Sequence, residues 1–293
     1  MYDLTSPKQT SELLRSHGIR LQKRLGQNFL CDRNILNNIV ASAKLTPNTP
    51  VLEVGAGAGA LTTALADHTS RLTSIEIDTH LEPILREVTA DYENINLVFQ
   101  DFMRMDMTTL FDSAFGEERG VFVSNIPYYI TTPIIEKLIE HKHRWRRAVM
   151  LVQQEVANRI VAKPATPDFG SMSLFVQYHT KPEIICKVPP TVFLPAPDVS
   201  SCVIALEPII PGAIAIRNEA RMFRLIRAGF GQRRKTLLNA LMRAPDSFNL
   251  GFGMEDRARL EEFLAKVGID GNRRGETLSL EEYGRLSDAY EAD

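Results

Sequence analysis

Short runs rich in valine, isoleucine and leucine alternate with segments of helical periodicity from residue 51 onward. Strands that are buried on both faces read as continuous apolar runs, whereas helices repeat apolar residues three and four positions apart. The alternation therefore predicts an α/β fold in which helices cover both faces of a parallel sheet. The predicted strands are residues 51–54, 72–77, 95–99, 121–124, 148–152, 184–188 and 202–207.

The strand pattern stops at the segment EPIIPG, residues 207–212, where two prolines and a glycine interrupt it. No convincing strand follows in the sequence. A chain of 293 residues also suits one large domain with a smaller one better than a single compact core. We therefore predict a large domain with an N-terminal extension over residues 1–207 and a smaller helical domain over residues 208–293.

The composition is that of a globular protein, with 44% hydrophobic and 24% charged residues, and the net charge of -2 identifies no partner. Cys31, Cys186 and Cys202 stand far apart without a CxxC spacing, so we predict neither a disulfide framework nor a metal site. The N-terminus lacks a signal-peptide pattern, and no stretch approaches the roughly 20 apolar residues that span a bilayer. We expect a cytoplasmic protein without a membrane partner.

The segment VLEVGAGAGALT places Gly55, Gly57 and Gly59 between the first strand of the sheet and a helix. Missing side chains at such a turn let a ligand approach the backbone closely. Gly55, Gly57 and Ala60 also satisfy the dinucleotide-binding pattern GxGxx(G/A). A tight turn that binds no ligand would show the same glycine pattern. The loop predicts a nucleotide-type ligand without identifying it.

Acidic residues end the next two predicted strands, Glu76 in LTSIEID and Asp101 in VFQDFM. The carboxyl ends of parallel strands share one edge of the sheet, where ligands of open α/β folds bind. A carboxylate at that edge can accept hydrogen bonds from ribose hydroxyls, whereas Asp78, just before the next helix, suits a helix cap. The pattern favours an adenosine-containing ligand and leaves NAD and S-adenosylmethionine as alternatives.

The stretch SNIPYYITTPII brings a polar amide, Asn125, to the end of the fourth predicted strand. Pro127 fixes the turn that follows, which leaves the Asn125 side-chain oxygen and the Ile126 carbonyl as acceptors, and Tyr128 offers a ring for stacking. Two acceptors would suit an exocyclic amine of adenine, whose lone pair is otherwise delocalised into the ring. The alternative is an asparagine that caps the helix beginning near Thr131.

Several segments, taken in order, resemble the ribosomal RNA adenine dimethyltransferase family, in its bacterial small-subunit branch. The segments are GQNFL at 26–30, VLEVGAGAGALT, IEID, QDF, NIPYYITTPI, FLPAPDVSS and FGQRRKTLLNAL, and the resemblance runs from about residue 20 to 285. It implies a Rossmann-like, S-adenosylmethionine-dependent methyltransferase sheet with a smaller C-terminal helical domain.

The same resemblance implies which residues bind the cofactor. The methionine end of S-adenosylmethionine would meet residues near 27–30 and the glycine loop, the ribose would meet Glu76, and the adenine amine would meet Asp101. The implied cofactor-binding residues are Gln27, Asn28, Leu30, Gly55, Gly57, Glu76, Asp101 and Asn125.

The resemblance also implies the catalytic residues. Asn125 would orient the target amine beside the sulfonium methyl, Pro127 would hold the turn, and Tyr128 would stack on the target adenine. Phe193, in the segment FLPAP, resembles the second stacking ring, while a place in the hydrophobic core is the alternative for this residue.

Basic residues are concentrated in residues 217–243, which contain eight lysines or arginines and one glutamate. Arginines at 217, 221, 224 and 227 fall on one third of a helix circumference, and the basic run HKHRWRR at 141–147 adds to the asymmetry. Such a stripe is typical of a phosphate-binding surface, although a solvated helix face would read similarly. The predicted RNA-binding residues are Arg221, Arg224, Arg233, Arg234 and Lys235.

The sequence therefore predicts an enzyme that resembles the family placing two methyl groups on each of two adjacent adenosines near the 3′ end of 16S rRNA. Its expected partner is small-subunit rRNA, in a pre-assembled subunit, and a role in subunit biogenesis follows. Two alternatives remain. One is the sister branch that methylates large-subunit rRNA and confers antibiotic resistance, and the other is a non-catalytic assembly or transcription factor on the same fold.

Overall fold

The protein is described by a computed structural model over residues 2–19, 27–125, 127–245 and 257–289, with the side chain of Tyr129 left aside. The helices are α1 Pro7–Ser16, α2 Arg33–Ala43, α3 Ala60–Ala66, α4 Glu82–Val88, α5 Met107–Phe115, α6 Thr131–Glu140, α7 Gln154–Val161, α8 Ser171–His179, α9 Glu219–Gly231, α10 Leu237–Met242, α11 Arg257–Lys266 and α12 Leu280–Ala289. The strands are β1 Phe29–Leu30, β2 Val51–Val54, β3 Leu72–Glu76, β4 Ile95–Phe99, β5 Gly120–Asn125, β6 Trp145–Gln153, β7 Thr180–Val188, β8 Phe193–Leu194 and β9 Ser201–Pro208.

Seven strands form one sheet in the order β4-β3-β2-β5-β6-β9-β7. The strands from β4 to β6 pair in parallel, as the sequence predicted, and β9 runs antiparallel to β6. Each predicted strand coincides with an observed one to within a few residues, and Ile77 lies just beyond β3. The predicted α/β class is confirmed, with an antiparallel strand added to the parallel core.

The first strand of the sheet, β2, is paired on both sides. The chain continues through β3 and β4 on one side of it and later returns to place β5 and β6 on the other. Helices that cover the connections cannot fill the space between two such halves, so a crevice opens at the carboxyl ends of β2 and β5. The central strands are fully buried at Val51, Val121 and Val149.

The chain divides into two compact units, residues 1–157 with 182–208 and residues 158–181 with 209–293. The sequence predicted one boundary, after residue 207, and assigned residues 158–181 to the large domain. In the structure Phe169, Leu174 and Tyr178 share a hydrophobic core with Leu225 and Tyr283 of the second unit. Apolar contacts distant in sequence thus decide where this segment belongs.

Among the residues described, no helix is long and apolar enough to span a bilayer.

Candidate active site

A pocket of about 810 Å³, measured with its open mouth, lies at the carboxyl ends of β2, β3, β4 and β5. The predicted residues that line it are Gln27, Asn28, Gly55, Glu76, Asp101, Asn125, Pro127 and Tyr128. Most of its remaining lining is apolar, and sequence reasoning missed Phe29, Ile77, Leu81, Phe102 and Met103, although each lies close to a predicted strand end or to the Gln27–Asn28 segment.

The glycine loop after β2 requires its glycines. Gly55, Gly57 and Gly59 have φ angles of 89°, 58° and 93°, in the region that other residues rarely adopt. A Cβ atom on Gly57 would also come within 3.0 Å of the Phe29 ring, and one on Gly59 within 2.7 Å of Val88. The glycines therefore let the loop pack closely against Phe29 and Val88, and Gly55 is the one of the three that lines the pocket.

Glu76 is buried at the end of β3 and holds the glycine loop directly. Its carboxylate accepts hydrogen bonds from the backbone N–H of Gly57 at 2.8 Å and of Asp78 at 2.9 Å. Burial raises the pKa of Glu76, and these two backbone donors oppose the rise. An ionised carboxylate offers about four acceptor positions, and the backbone N–H of Ile77 also bonds it, so acceptor capacity for about one hydroxyl group of a ligand remains.

Asp78 caps the turn that precedes α4, which is the role the sequence suggested for it. Its Oδ1 accepts the N–H of His80 at 3.2 Å, and its Oδ2 accepts the side-chain amide of Gln27 at 2.6 Å. The second bond ties the segment before β1 to the Glu76 edge of the pocket. The hydrogen bond to Asp78 therefore holds Gln27 at the pocket. Local sequence patterns could not reveal this contact.

Asp101 follows β4 and begins a short helical turn. Its Oδ1 accepts the N–H of Met103 at 2.9 Å, and its Oδ2 lies 3.4 Å from Nε of the exposed Arg104. The side chain is 33% exposed, so an oxygen of this carboxylate can meet a ligand in the pocket. Glu76 and Asp101 thus face the same pocket from neighbouring strands, as the sequence predicted.

Asn125 is the last residue of β5 and lines the pocket. Within the described part of the chain, no group hydrogen-bonds its side-chain amide. The alternative of a helix cap is not observed, because α6 has Ile130 at its N-cap and no side-chain cap bond. The amide is therefore available to a ligand, whereas Ile126, whose carbonyl was the second predicted acceptor, lies outside the described residues.

Tyr128 is held in place by its hydroxyl, which lies 2.6 Å from the hydroxyl of the buried Ser201. Burial raises the pKa of Tyr128, and the bond to Ser201 opposes the rise. The bond joins the NIPYY turn to the start of β9 and fixes the orientation of the ring. Ser201 stands in the quoted segment FLPAPDVSS, but nothing in the local pattern assigned it this contact.

Three predicted residues do not line this pocket, namely Gly57 in the glycine loop, Leu30 and Phe193. Leu30 pairs with Phe193 in the two-stranded sheet of β1 and β8, and both are buried in the hydrophobic core, at 3% and 5% exposure. Phe193 does not line the main pocket, whereas Leu30 borders a smaller neighbouring cavity together with Gly55 and Asn125. The core placement that the sequence left open for Phe193 is the one observed.

Glu53 is a buried carboxyl inside the sheet, two residues before Gly55. Its Oε2 accepts the hydroxyls of Thr62 at 2.7 Å and Ser74 at 2.5 Å, and its Oε1 has no partner. Burial raises the pKa of Glu53 to about 7, the two hydroxyls oppose the rise, and Glu76 adds to it. The native state therefore keeps a proton on Glu53 at a pH where the unfolded chain has lost it.

We expect a Glu53→Gln variant to gain stability relative to the parent protein as the pH rises. Stability from the proton on Glu53 is fully present below the unfolded pKa and is lost as the pH rises toward 7. The free energy of unfolding of Glu53→Gln minus that of the parent should therefore increase by about 2.5 kcal/mol between pH 5 and pH 8. Urea unfolding at both pH values measures it, with exposed Glu136→Gln as control. An unchanged difference would show that Glu53 is ionised in the native state.

The basic residues of the second unit differ in whether their side chains bind other groups of the protein. Arg221 donates to the carbonyl of Ser287 at 3.2 Å, and Nε of Arg224 is buried without a hydrogen-bond partner. Arg233 pairs with Glu276 and donates to two backbone carbonyls. Arg234 and Lys235 are exposed, and neither side chain has a hydrogen-bond or ion-pair partner within the described part of the chain. The last two are the residues best suited to meet an anion.

The basic run at 141–147 is used largely inside the first unit. Arg144 pairs with Asp112 and donates to the carbonyl of Gly116, and Arg146 donates to the carbonyl of Lys44 at 2.8 Å. Arg147 is buried and pairs with Glu207. These arginines stabilise the fold, so the run does not support an RNA surface as the sequence had suggested.

A model of the family described as ribosomal RNA adenine dimethylase matches residues 18–282. The chain belongs to this family. It is 43% identical over 290 residues to the ribosomal RNA small subunit methyltransferase A of Bacillus pumilus, which covers 99% of this chain and 98% of that relative. It is 42% identical over 288 residues to the protein of the same name from Geobacillus thermodenitrificans, over 98% and 97% of the two chains. The predicted family is thereby confirmed.

Two solved structures share the fold. A dimethyladenosine transferase from Plasmodium falciparum matches with a TM-score of 0.74 and 24% identity, over 88% of this chain and 95% of that one. The 23S rRNA methyltransferase ErmE matches with a TM-score of 0.67 and 28% identity, over 89% and 99%. The predicted methyltransferase fold is confirmed by these matches.

Proposed function

We propose that the protein is a small-subunit rRNA adenine dimethyltransferase, which transfers methyl groups from S-adenosylmethionine to the N6 amines of two adjacent adenosines near the rRNA 3′ end. The observation that carries this proposal is the free amide of Asn125 at the end of β5, in one pocket with Glu76 and Asp101. Proteins named for the small-subunit activity are similar over nearly the whole chain. The proposed partner, a ribosomal subunit, agrees with a cytoplasmic location and a role in subunit biogenesis.

The chemistry of the pocket fits the proposed cofactor. Gly55, which has a positive φ, brings backbone without a side chain to the pocket, and the buried carboxylate of Glu76 has acceptor positions for ribose hydroxyls. Asp101 can accept the amine of the cofactor adenine, and apolar residues such as Phe102 and Ile77 can pack against the base. S-adenosylmethionine, when bound, supplies an electrophilic methyl group on a sulfonium.

The target amine needs orientation more than it needs a base. Its lone pair is delocalised into the adenine ring, and a hydrogen bond from the amine to the Asn125 oxygen favours the pyramidal form in which the lone pair points at the methyl. The nitrogen would gain the methyl group as the bond between that methyl and the sulfonium breaks, which leaves S-adenosylhomocysteine as a neutral thioether, and the nitrogen would release a proton to water. Tyr128, fixed through Ser201, can stack on the target base. An adenine must leave its stack before it can enter such a pocket.

The cofactor role of Glu76 makes a quantitative prediction. In a Glu76→Ala variant, affinity for S-adenosylhomocysteine should fall about thirtyfold, or about 2 kcal/mol, because a charged acceptor of ribose hydroxyls is lost. Glu76→Gln should not restore it, since both oxygens accept backbone N–H groups and an amide would turn one acceptor into a donor. Calorimetric titration measures the affinity, and the exposed Glu136→Ala is the control. Unchanged binding by folded Glu76→Ala would remove Glu76 from the site.

The large-subunit alternative is tested by the choice of substrate. The protein is incubated with methyl-labelled S-adenosylmethionine and either unmethylated small subunits or unmethylated large subunits, and the labelled nucleotides are mapped. We expect label on two adjacent adenosines near the 3′ end of the small-subunit rRNA alone. Label on large-subunit rRNA would support the resistance-type activity, and absence of label from both would favour a non-catalytic assembly factor.

A further inference from the structure

Lys137 makes an unusual set of contacts beside the pocket. Its side-chain nitrogen, near the end of α6, donates to the carbonyls of Phe102 at 3.3 Å, Met103 at 2.9 Å and Met105 at 2.9 Å. An ammonium has three donors and no acceptor, so the three carbonyls match its capacity. Within the described part of the chain, no backbone N–H donates to the carbonyls of Met103 or Met105. Lys137 is therefore the group that satisfies them.

The segment that Lys137 holds is the wall of the pocket after β4. Asp101, Phe102 and Met103 all line the pocket, and the N–H of Met103 binds the Asp101 carboxylate. The Lys137 ammonium also lies 5.6 Å from the centroid of the buried Phe102 ring, whose other contacts include Phe122 of β5. One cation thus fixes both the backbone of the turn and a ring within it.

The helix that carries Lys137 begins next to the proposed catalytic turn. Helix α6 starts at Thr131, three residues after Tyr128, and is anchored by apolar residues such as Ile134 and Leu138 that are fully buried. Lys137 thus links the turn after β4 to a helix that begins beside the β5 edge. Without the ammonium, two carbonyls would lose their hydrogen bonds, and the turn would shift to expose them to water.

We infer that Lys137 is a positioning residue for the cofactor purine. It holds the turn after β4 so that the Asp101 carboxylate faces the 6-amino group, and it thereby sets the preference for adenine over a 6-oxo purine. A carboxylate accepts hydrogen bonds from an amine but repels a carbonyl oxygen at the same position, which makes such a site selective. The inference rests on the proposed function, because it takes the purine to lie against Asp101.

The test compares two ligands that differ at the purine 6-position, S-adenosylhomocysteine and S-inosylhomocysteine, by calorimetry. The parent protein should prefer the adenine ligand. In Lys137→Met, which keeps the aliphatic stem, the ratio of the two affinities should fall about tenfold or more. Lys137→Arg, which retains donors for the carbonyls, should restore part of the ratio.

A matched control separates positioning from stability. Arg144→Met also removes a cation that binds a backbone carbonyl, that of Gly116, but at the opposite edge of the sheet. It should leave the ratio of affinities unchanged. If Lys137→Met does not fold, Lys137→Gln, whose amide can still reach part of the turn, provides the comparison.

The outcomes distinguish the inference from the proposed function. A parent protein that binds both ligands equally would contradict the placement of the purine against Asp101, and with it both proposals for this wall of the pocket. A parent that discriminates, together with a folded Lys137→Met or Lys137→Gln that discriminates equally, would overturn the role of Lys137 alone. If Arg144→Met and Lys137→Met both lose the preference for the adenine ligand, the loss comes from general destabilisation. That result would also overturn the role of Lys137.

Discussion

An Asn125→Ala variant should lose methyl transfer by about a hundredfold or more while it still binds cofactor and RNA. The removal of one preorganised polar contact to a reacting group commonly costs this much in rate. The side-chain amide of Asn125 has no partner within the described residues, so its loss leaves no protein group unsatisfied. We therefore expect the fold to be unaffected. Single-turnover rates on saturated complexes isolate the chemical step from binding.

Two companion variants sharpen the test. Asn125→Asp keeps an acceptor for the target amine but places a negative charge beside the cationic sulfonium, so it should change cofactor affinity as well as rate. Asn37→Ala, at an exposed position of α2, should behave like the parent protein. Methyl transfer by Asn125→Ala at the parent rate would contradict the proposed role of this residue.

The part of the site at the strand ends could be predicted because its geometry follows from local patterns. A parallel sheet brings the carboxyl ends of its strands to one edge, and Glu76, Asp101 and Asn125 each lie at or just beyond such an end. The positive φ angles of the glycine loop are likewise a property of the residue type. No knowledge of tertiary contacts was needed for these predictions.

The parts that could not be predicted depend on contacts between distant segments. Lys137 reads as an ordinary polar position of an amphipathic helix, yet it binds a turn more than 30 residues earlier in the chain. Ser201 binds Tyr128 across 73 residues. The basic run that contains Arg144 and Arg147 suggested nucleic acid because charge alone does not reveal internal partners such as Glu207.

Whether a cation has partners inside the protein also decides which residues of the second unit can be used to test RNA binding. Reversing Arg221, Arg224 or Arg233 would disturb the protein itself, since Arg221 and Arg233 bind backbone carbonyls and Nε of Arg224 is buried. Arg234 and Lys235 are exposed and have no partner among the described residues. A defect in a variant of these two residues can therefore be assigned to binding.

The double variant Arg234→Glu/Lys235→Glu should bind small subunits more than about a hundredfold more weakly at low salt. Two cations that could neutralise phosphates are lost, and two anions that repel them are gained. The slope of log affinity against log salt concentration should also become shallower by about 2, because two fewer counterions are released. Filter binding at several salt concentrations gives both quantities, and calorimetry should show unchanged cofactor binding.

The control for this experiment must carry the same change in charge at another surface. Lys8→Glu/Arg15→Glu reverses two exposed cations of α1, in the first unit, and gives the protein the same net charge. If net charge alone governs association, the two double variants will lose affinity equally, and residues 234 and 235 form no binding surface. If a local surface governs it, only Arg234→Glu/Lys235→Glu will show the large loss and the shallower slope. Because a local phosphate contact releases a counterion whereas a distant charge mainly changes the rate of encounter, the slope is the more decisive of the two measurements.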